Sequence, residues 1–155
     1  LLMTNKIELH KILKKLIKEN ALNLIVHQYG NYAVQTIIEN WDESEVDEII
    51  EIYRDKYVFL SNKKFASNVI ERIIEKNGKN LENYLDEIYK GYNLVEILKN
   101  KYGNFVLKKA VDLAGGKIKE KLIEEINDNL KFLENPKIIN RWKNKLELDN
   151  NSSSI

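Results

Sequence analysis

Leu9, Ile12, Leu13, Leu16 and Ile17 fall at i, i+3, i+4, i+7 and i+8, one apolar helix stripe with lysines on the other face. The pattern predicts a helix over about 4–19, capped by Thr4 or Asn5. A short helix over about Ala21 to His27 follows, then a longer one from Tyr29 with Ala33, Val34, Ile37 and Ile38 turned inward. Val46, Ile49, Ile50 and Tyr53 form the next stripe, under an acidic run expected to be a solvated outer face. The same order then returns. A short helix near Lys56 to Leu60 precedes a longer one from Phe65 with Ile70, Ile73 and Ile74 inward. Asn77-Gly78 reads as a helix C-cap and turn, and Leu81, Tyr84, Leu85 and Ile88 stripe the helix after it. A third pass has Leu94, Ile97 and Leu98, then Tyr102 onward with Leu107, Ala110 and Val111. Gly115-Gly116 breaks the chain before a helix bearing Ile118, Leu122, Ile126, Leu130 and Leu133, which Asn135-Pro136 ends. A last short helix through Ile139, Trp142 and Leu146 closes the pattern, and the residues from Asp149 read as a frayed tail.

The pattern has an internal period. Tyr29-Gly30-Asn31-Tyr32-Ala33-Val34-Gln35, Phe65-Ala66-Ser67-Asn68-Val69-Ile70-Glu71 and Tyr102-Gly103-Asn104-Phe105-Val106-Leu107-Lys108 are siblings, offset by 36 and 37 residues. Each opens with an aromatic and a small residue, and each carries two apolar residues followed by one long polar one. Recurrence at 20–50 residues is the mark of a solenoid, in which each unit needs its neighbours to bury its apolar face. The expected division is the end of a preceding unit plus a short helix (1–28), three units (29–135), a capping helix (136–148) and a disordered tail (149–155). The opening segment resembles the last helix of an earlier unit, so a fragment of a longer solenoid is expected.

Composition narrows the class. One proline and six glycines in 155 residues disfavour a turn-rich sheet protein, and helix is expected throughout. There are no cysteines, which removes disulfides and thiolate metal sites and fits a reducing, cytoplasmic setting. No apolar run approaches the roughly 18 residues of a membrane span. Net charge is only +1, so bulk charge does not capture a polyanion and any such site must be local.

On a helix, residues i and i+4 lie one above the other, about 6 Å apart, with i+1 standing beside them. Asn31 and Gln35 therefore share an edge with Tyr32 beside it; Ser67 and Glu71 do so with Asn68, and Asn104 and Lys108 with Phe105. Two hydrogen-bonding groups at that spacing suit the edge of a planar base, and a flanking ring covers its face, as in recognition of unpaired RNA. Lys63, Lys64, Lys99, Lys101, Lys108 and Lys109 flank the same helices and would form a positive strip. His10 and His27 lie on different helices with no metal spacing; His27, Lys63, Lys64 and Lys101 are candidate contacts to a nucleic-acid backbone. No nucleophile elbow, phosphate loop or catalytic carboxylate pair is present, so an enzyme is not expected, and no metal or cofactor is implied.

At these residues the chain resembles the Pumilio (PUF) family of RNA-binding repeat proteins. His27 through Gln35 is similar to the family's sixth repeat, Lys64 through Glu71 to the seventh and Lys101 through Lys108 to the eighth. Residues 117–148 are similar to a degenerate C-terminal cap. The resemblance implies an all-α, right-handed solenoid of three-helix repeats whose concave face binds single-stranded RNA antiparallel to the repeats. It further implies that Asn31 with Gln35 reads uracil, Ser67 with Glu71 reads guanine, and Tyr32, Asn68 and Phe105 stack. A U-G-U element of mRNA and post-transcriptional regulation would follow, with a monomeric chain and regulatory proteins on the convex face. Lys108 stands where the resemblance expects glutamine, and either uracil O4 or a phosphate suits its three donors. The competing classes are a protein-binding helical scaffold and a nucleolar relative that binds structured RNA with little base preference.

Overall fold

The computed structural model describes residues 2–91 and 94–152, and among them there are helices and no strand. The first helix, α1 (Leu2–Val26), is continuous where two were expected. No glycine or proline interrupts it, and Ala21 and Ile25 are buried on its inner face. Then come α2 (Gly30–Asn40), α3 (Glu43–Ile50) with a 3-10 turn over Glu51–Tyr53, α4 (Tyr57–Ser61), α5 (Ala66–Lys76) and α6 (Gly78–Gly91). The last four are α7 (Leu94–Lys99), α8 (Gly103–Leu113), α9 (Gly116–Leu130) and α10 (Pro136–Ser152). Helix α2 packs on α1 and α5, and α5 on α8, so the three repeated helices form one row.

The core is the apolar frame of the repeats. Val34, Ile70 and Leu107, equivalent by the period, are each 0% exposed. Full burial of such a side chain stabilises by about 1.5–3 kcal/mol. The position before them differs: Val69 and Val106 are buried, but Ala33 is exposed, contrary to expectation. Among the described residues, α2 has α5 as its only neighbour in the row. Of the predicted stripe of α1 only Ile17 is buried, and Leu9, Ile12, Leu13 and Leu16 are exposed. Ile118, at the start of α9, is also exposed.

The small second residue of each motif has a steric cause. A Cβ on Gly30 would come 2.8 Å from the Leu24 carbonyl oxygen, and one on Gly103 would overlap Asn62 Oδ1. Ala66, their equivalent, is fully buried. At Gly30 and Gly103 the preceding segment leaves no room for a Cβ, whereas the middle unit accommodates the methyl group of Ala66.

Caps and termini depart from the sequence pattern in three places. Asn77 is the C-cap of α5, as expected, but Gly78 already opens α6, and Asn77 Oδ1 accepts the Asn80 N–H at 2.9 Å and so caps the following helix too. The acidic helix α3 is more than a solvated face, because Glu45 and Glu48 pair with Lys14, Lys18 and His10 of α1 at 3.0–3.6 Å. The predicted tail from Asp149 continues α10 to Ser152. Asp149 is buried and paired with Lys119 at 3.1 Å and Lys145 at 2.9 Å, which fixes that turn. Residues 153–155 of the predicted tail lie outside the described residues.

Candidate nucleic-acid interface

The three motif helices share one way of starting. Tyr29, Phe65 and Tyr102 occupy the N-cap positions without a side-chain cap of their own. The first and third starts are held from the preceding loop. His27 Nδ1 accepts the N–H groups of Tyr29 and Gly30 at 3.2 and 3.1 Å. Asn100 Oδ1 accepts those of Tyr102 and Gly103 at 2.9 Å each. This capping was not anticipated, and it removes His27 Nδ1 from the candidate backbone contacts. The signal lay in the period: His27 and Asn100 are 73 residues apart, the sum of the two offsets, and both carry a planar acceptor.

The first polar residue of each motif binds its own loop as well. Asn31 Nδ2 donates to the carbonyls of His27 and Gln28 at 2.9 Å, and Asn104 Nδ2 to those of Asn100 and Lys101 at 2.6 and 3.2 Å. The Ser67 hydroxyl donates to the Lys64 carbonyl at 3.2 Å. Asn31 and Ser67 are buried, while Asn104 is half-buried. Asn31 Oδ1 in turn accepts from Gln35 Nε2 at 3.1 Å, so these two are a bonded pair rather than two separate donors. Gln35 keeps one amide N–H and its carbonyl.

The next residues point outward. Tyr32 is 63% exposed, Phe105 58%, and Asn68 is exposed too. Tyr32, Gln35, Asn68 and Glu71 line one concavity of about 280 Å³ between α2 and α5, together with Arg72, Glu75 and Lys109. Burial pushes the Glu71 carboxyl above its ordinary value, against the pull of Lys109. Lys109 itself is paired with Glu75. Ser67 does not line that concavity.

Asn104, Phe105 and Lys108 line a second, larger concavity of about 600 Å³ between α8 and α10. The Lys108 amine lies 5.3 Å from both the Phe105 and the Trp142 ring centres. Burial, then the charges of Arg141 and Lys145, hold its pKa below the ordinary value. The remaining predicted cations are dispersed. Lys63 sits over the Phe59 ring at 4.5 Å and Lys64 over Phe65 at 5.2 Å, Lys99 pairs with Glu96, and Lys101 is exposed. The expected strip is therefore concentrated at its α8 end. Among the described residues no helix is long and apolar enough to cross a membrane.

Comparison with known proteins agrees with the repeat. The model of the Pumilio-family RNA-binding repeat matches residues 20–52, 56–88 and 93–126, the second and third units beginning at the short helices α4 and α7 and the first at the end of α1. A Pumilio domain-containing protein of Schizosaccharomyces pombe is 30% identical over 135 residues, covering 86% of this chain and 20% of its own length. Pumilio homolog 11 of Arabidopsis thaliana is 31% identical over 141 residues, covering 88% of this chain and 25% of its own. The chain thus spans a fifth to a quarter of these relatives. The crystal structure of PUF-8 in complex with PBE-RNA superposes with a TM-score of 0.79 at 23% identity, over 90% of this chain and 42% of that one. A Puf4 mutant bound to a Cox17 RNA 3′ UTR recognition sequence gives 0.69 at 25% identity, over 85% and 48%. The fold and the three matched units define an α-solenoid of RNA-binding repeats. This chain belongs to the Pumilio family.

Proposed function

We propose that this chain binds single-stranded RNA by sequence and reads a U-G-U-type element, one base to a unit, in cytoplasmic post-transcriptional control. The observation that carries the reading is the concavity where Tyr32, Gln35, Asn68 and Glu71 meet across two units. A base entering it meets ring or amide faces from Tyr32 and Asn68 and a hydrogen-bonding edge from Gln35 or Glu71. Gln35, oriented by Asn31, offers one N–H and one carbonyl, which match a carbonyl oxygen and the N3–H of uracil. Glu71 offers acceptors only, which match guanine N1–H and N2–H₂ at charge-assisted strength. Asn104 and Phe105 are the corresponding edge and platform of the third unit. The RNA named in the PUF-8 and Puf4 complexes supports the same class of ligand.

Filter binding with three RNAs tests it: a U-G-U strand, its A-C-A variant and a duplex. Binding of the U-G-U strand alone is expected. Equal binding of the duplex would favour a structured-RNA binder, and binding of none would favour a protein-docking scaffold.

A further inference from the structure

Ion pairs tie the row helices together, and they recur with the repeat. Glu39 pairs with Arg72 at 3.4 Å, Glu75 with Lys109, and Asp112 with Lys145. The acids are 36 and 37 residues apart and the cations 37 and 36, so each rung joins a carboxylate late in one unit to a cation further along the row. The last cation, Lys145, comes from α10. Arg72 also reaches Glu75 of its own helix at 3.5 Å, which connects the first rung to the second. Ion pairs this open to solvent contribute little to stability, so their recurrence in register calls for another reason.

The ladder is interleaved with the proposed base edges. Each acid stands four residues after an edge residue (Gln35, Glu71 and Lys108), one turn along the same helix face. The consequence is sharpest in the middle unit, where the edge residue is itself an acid. Glu71 and Glu75 are successive carboxylates on α5, and Lys109 of α8 lines the same concavity as both. Lys109 is bonded to Glu75 and pulls on Glu71 through space. Glu71 has no ion pair among the described residues, and burial works against its charge. The other groups about it are Arg72, whose charge is shared between Glu39 and Glu75, and the buried Tyr84 hydroxyl of α6; α4 carries no charged side chain. Asp112 lies on the far side of Lys109.

We infer that Lys109, a residue of the third unit, is a positioning residue for base choice in the middle one: its charge stands behind the Glu71 carboxylate, and its bond to Glu75 keeps it from closing on Glu71 in place of the base. The inference rests on the RNA reading above, in which Glu71 accepts the two donors of a guanine edge. Guanine needs a carboxylate that is both charged and vacant. Lys109 without Glu75 would form a charge-assisted bond to Glu71 and compete with the base. Glu71 without Lys109 would keep only the divided charge of Arg72 against Glu75 and burial, and would take up a proton more readily. The rung supplies the counter-charge and restrains it.

Lys109→Met, Glu75→Gln and the two together test this in opposite directions. Without RNA, the Glu71 carboxyl is followed by carbon NMR as pH is lowered, its signal assigned through Glu71→Gln. Its titration midpoint should rise in Lys109→Met and fall in Glu75→Gln, where the freed lysine closes on it. With RNA, U-G-U and U-U-U strands compete, and the ratio cancels any loss of general affinity. At neutral pH the G preference should fall about tenfold in Glu75→Gln, the scale of one charge-assisted contact. The double variant should recover most of it, because no lysine is left to compete. On acidification, Lys109→Met should lose it at a higher pH than the parent. Circular dichroism should stay unchanged throughout. A ladder that only braces the fold would lower the thermal midpoint while leaving the Glu71 titration and the G preference as in the parent, and that result overturns the inference. If the parent shows no preference for G, the base reading fails, and the RNA-free titration still decides the placement of Lys109. Midpoints that move apart uphold it, and midpoints that stay together overturn it.

Discussion

Between α2 and α5, Glu71 and Glu75 share a concavity with Arg72 and Lys109, whereas among the described residues no carboxylate joins Lys101, Lys108, Lys137 and Arg141 in lining the concavity between α8 and α10. Both concavities lie along the same row of helices, above the same buried positions. The apolar frame is held constant while the outward polar residues change from glutamine and glutamate to lysine. A solenoid can therefore change its outward chemistry from unit to unit while its buried frame stays the same.

Breaking the shared frame should have the largest effect. Ile70 is fully buried beneath Ser67 and Glu71 in the middle helix of the row. Ile70→Ala should cost about 2–5 kcal/mol of stability and lower the denaturant midpoint. Both concavities should fail together. A midpoint within error of the parent would place Ile70 outside the core.

Much of that frame was legible in the sequence, and for a physical reason. Helix periodicity and a 36- to 37-residue recurrence are local signals, and Val34, Ile70 and Leu107 occupy the buried positions they imply. Tyr32, Asn68 and Phe105 face outward by the same geometry. What could not be read were contacts set by distant segments. The burial of Asp149 depends on Lys119, 30 residues earlier, and the α8–α10 cavity combines cations from two separate stretches. The exposure of Ala33 is invisible locally, because its motif matches those of Val69 and Val106. Capping by His27 and Asn100 hid behind different side chains that perform the same acceptance.

Exchanging the middle edge sharpens the comparison without touching the core. Ser67→Asn with Glu71→Gln copies the Asn31 and Gln35 pair into α5. Uracil would meet Glu71 with two carbonyl oxygens against a carboxylate, but it can pair with an amide. The double variant should change the preference there from G to U by about 1–3 kcal/mol, read by competition between U-G-U and U-U-U strands. Persistent preference for G would mean that the middle unit does not read its base through these residues.

Tyr32→Ala removes a platform from the first concavity and leaves the second intact. A lost base–aromatic stack costs about 1–3 kcal/mol in RNA affinity. Because Tyr32 is exposed, helical circular dichroism should hold. A parallel loss of helix would show that the ring supports the fold.

Acid offers a milder probe of the first concavity. Guanine pairing needs ionised Glu71, and burial raises its pKa above the ordinary 4.5, so G preference should fade as pH falls through that raised value. The folding contribution of this group has the opposite sign: a raised folded-state pKa gives stability that is present below 4.5 and lost as pH rises through the folded value. Protonation of Glu71 therefore weakens reading without weakening the fold at that residue. Competition binding between U-G-U and U-U-U strands from neutral pH downward checks this, and a flat ratio would exclude Glu71 from contact with the base.

The smallest expected effect lies in the second concavity, at the lysine that replaces glutamine in the pattern. If Lys108 holds a phosphate, Lys108→Gln removes one neutralised charge and should reduce the log–log salt slope of binding by about 0.7. Stability should change little, since Lys108 has no carboxylate partner among the described residues and burial already disfavours its charged form. Glutamine also restores a donor–acceptor edge beside Asn104, so a rise in U preference at this unit is compatible with loss of the phosphate contact. The salt titration decides between the two roles. A sharper U preference with an unaltered slope would assign Lys108 to the base edge.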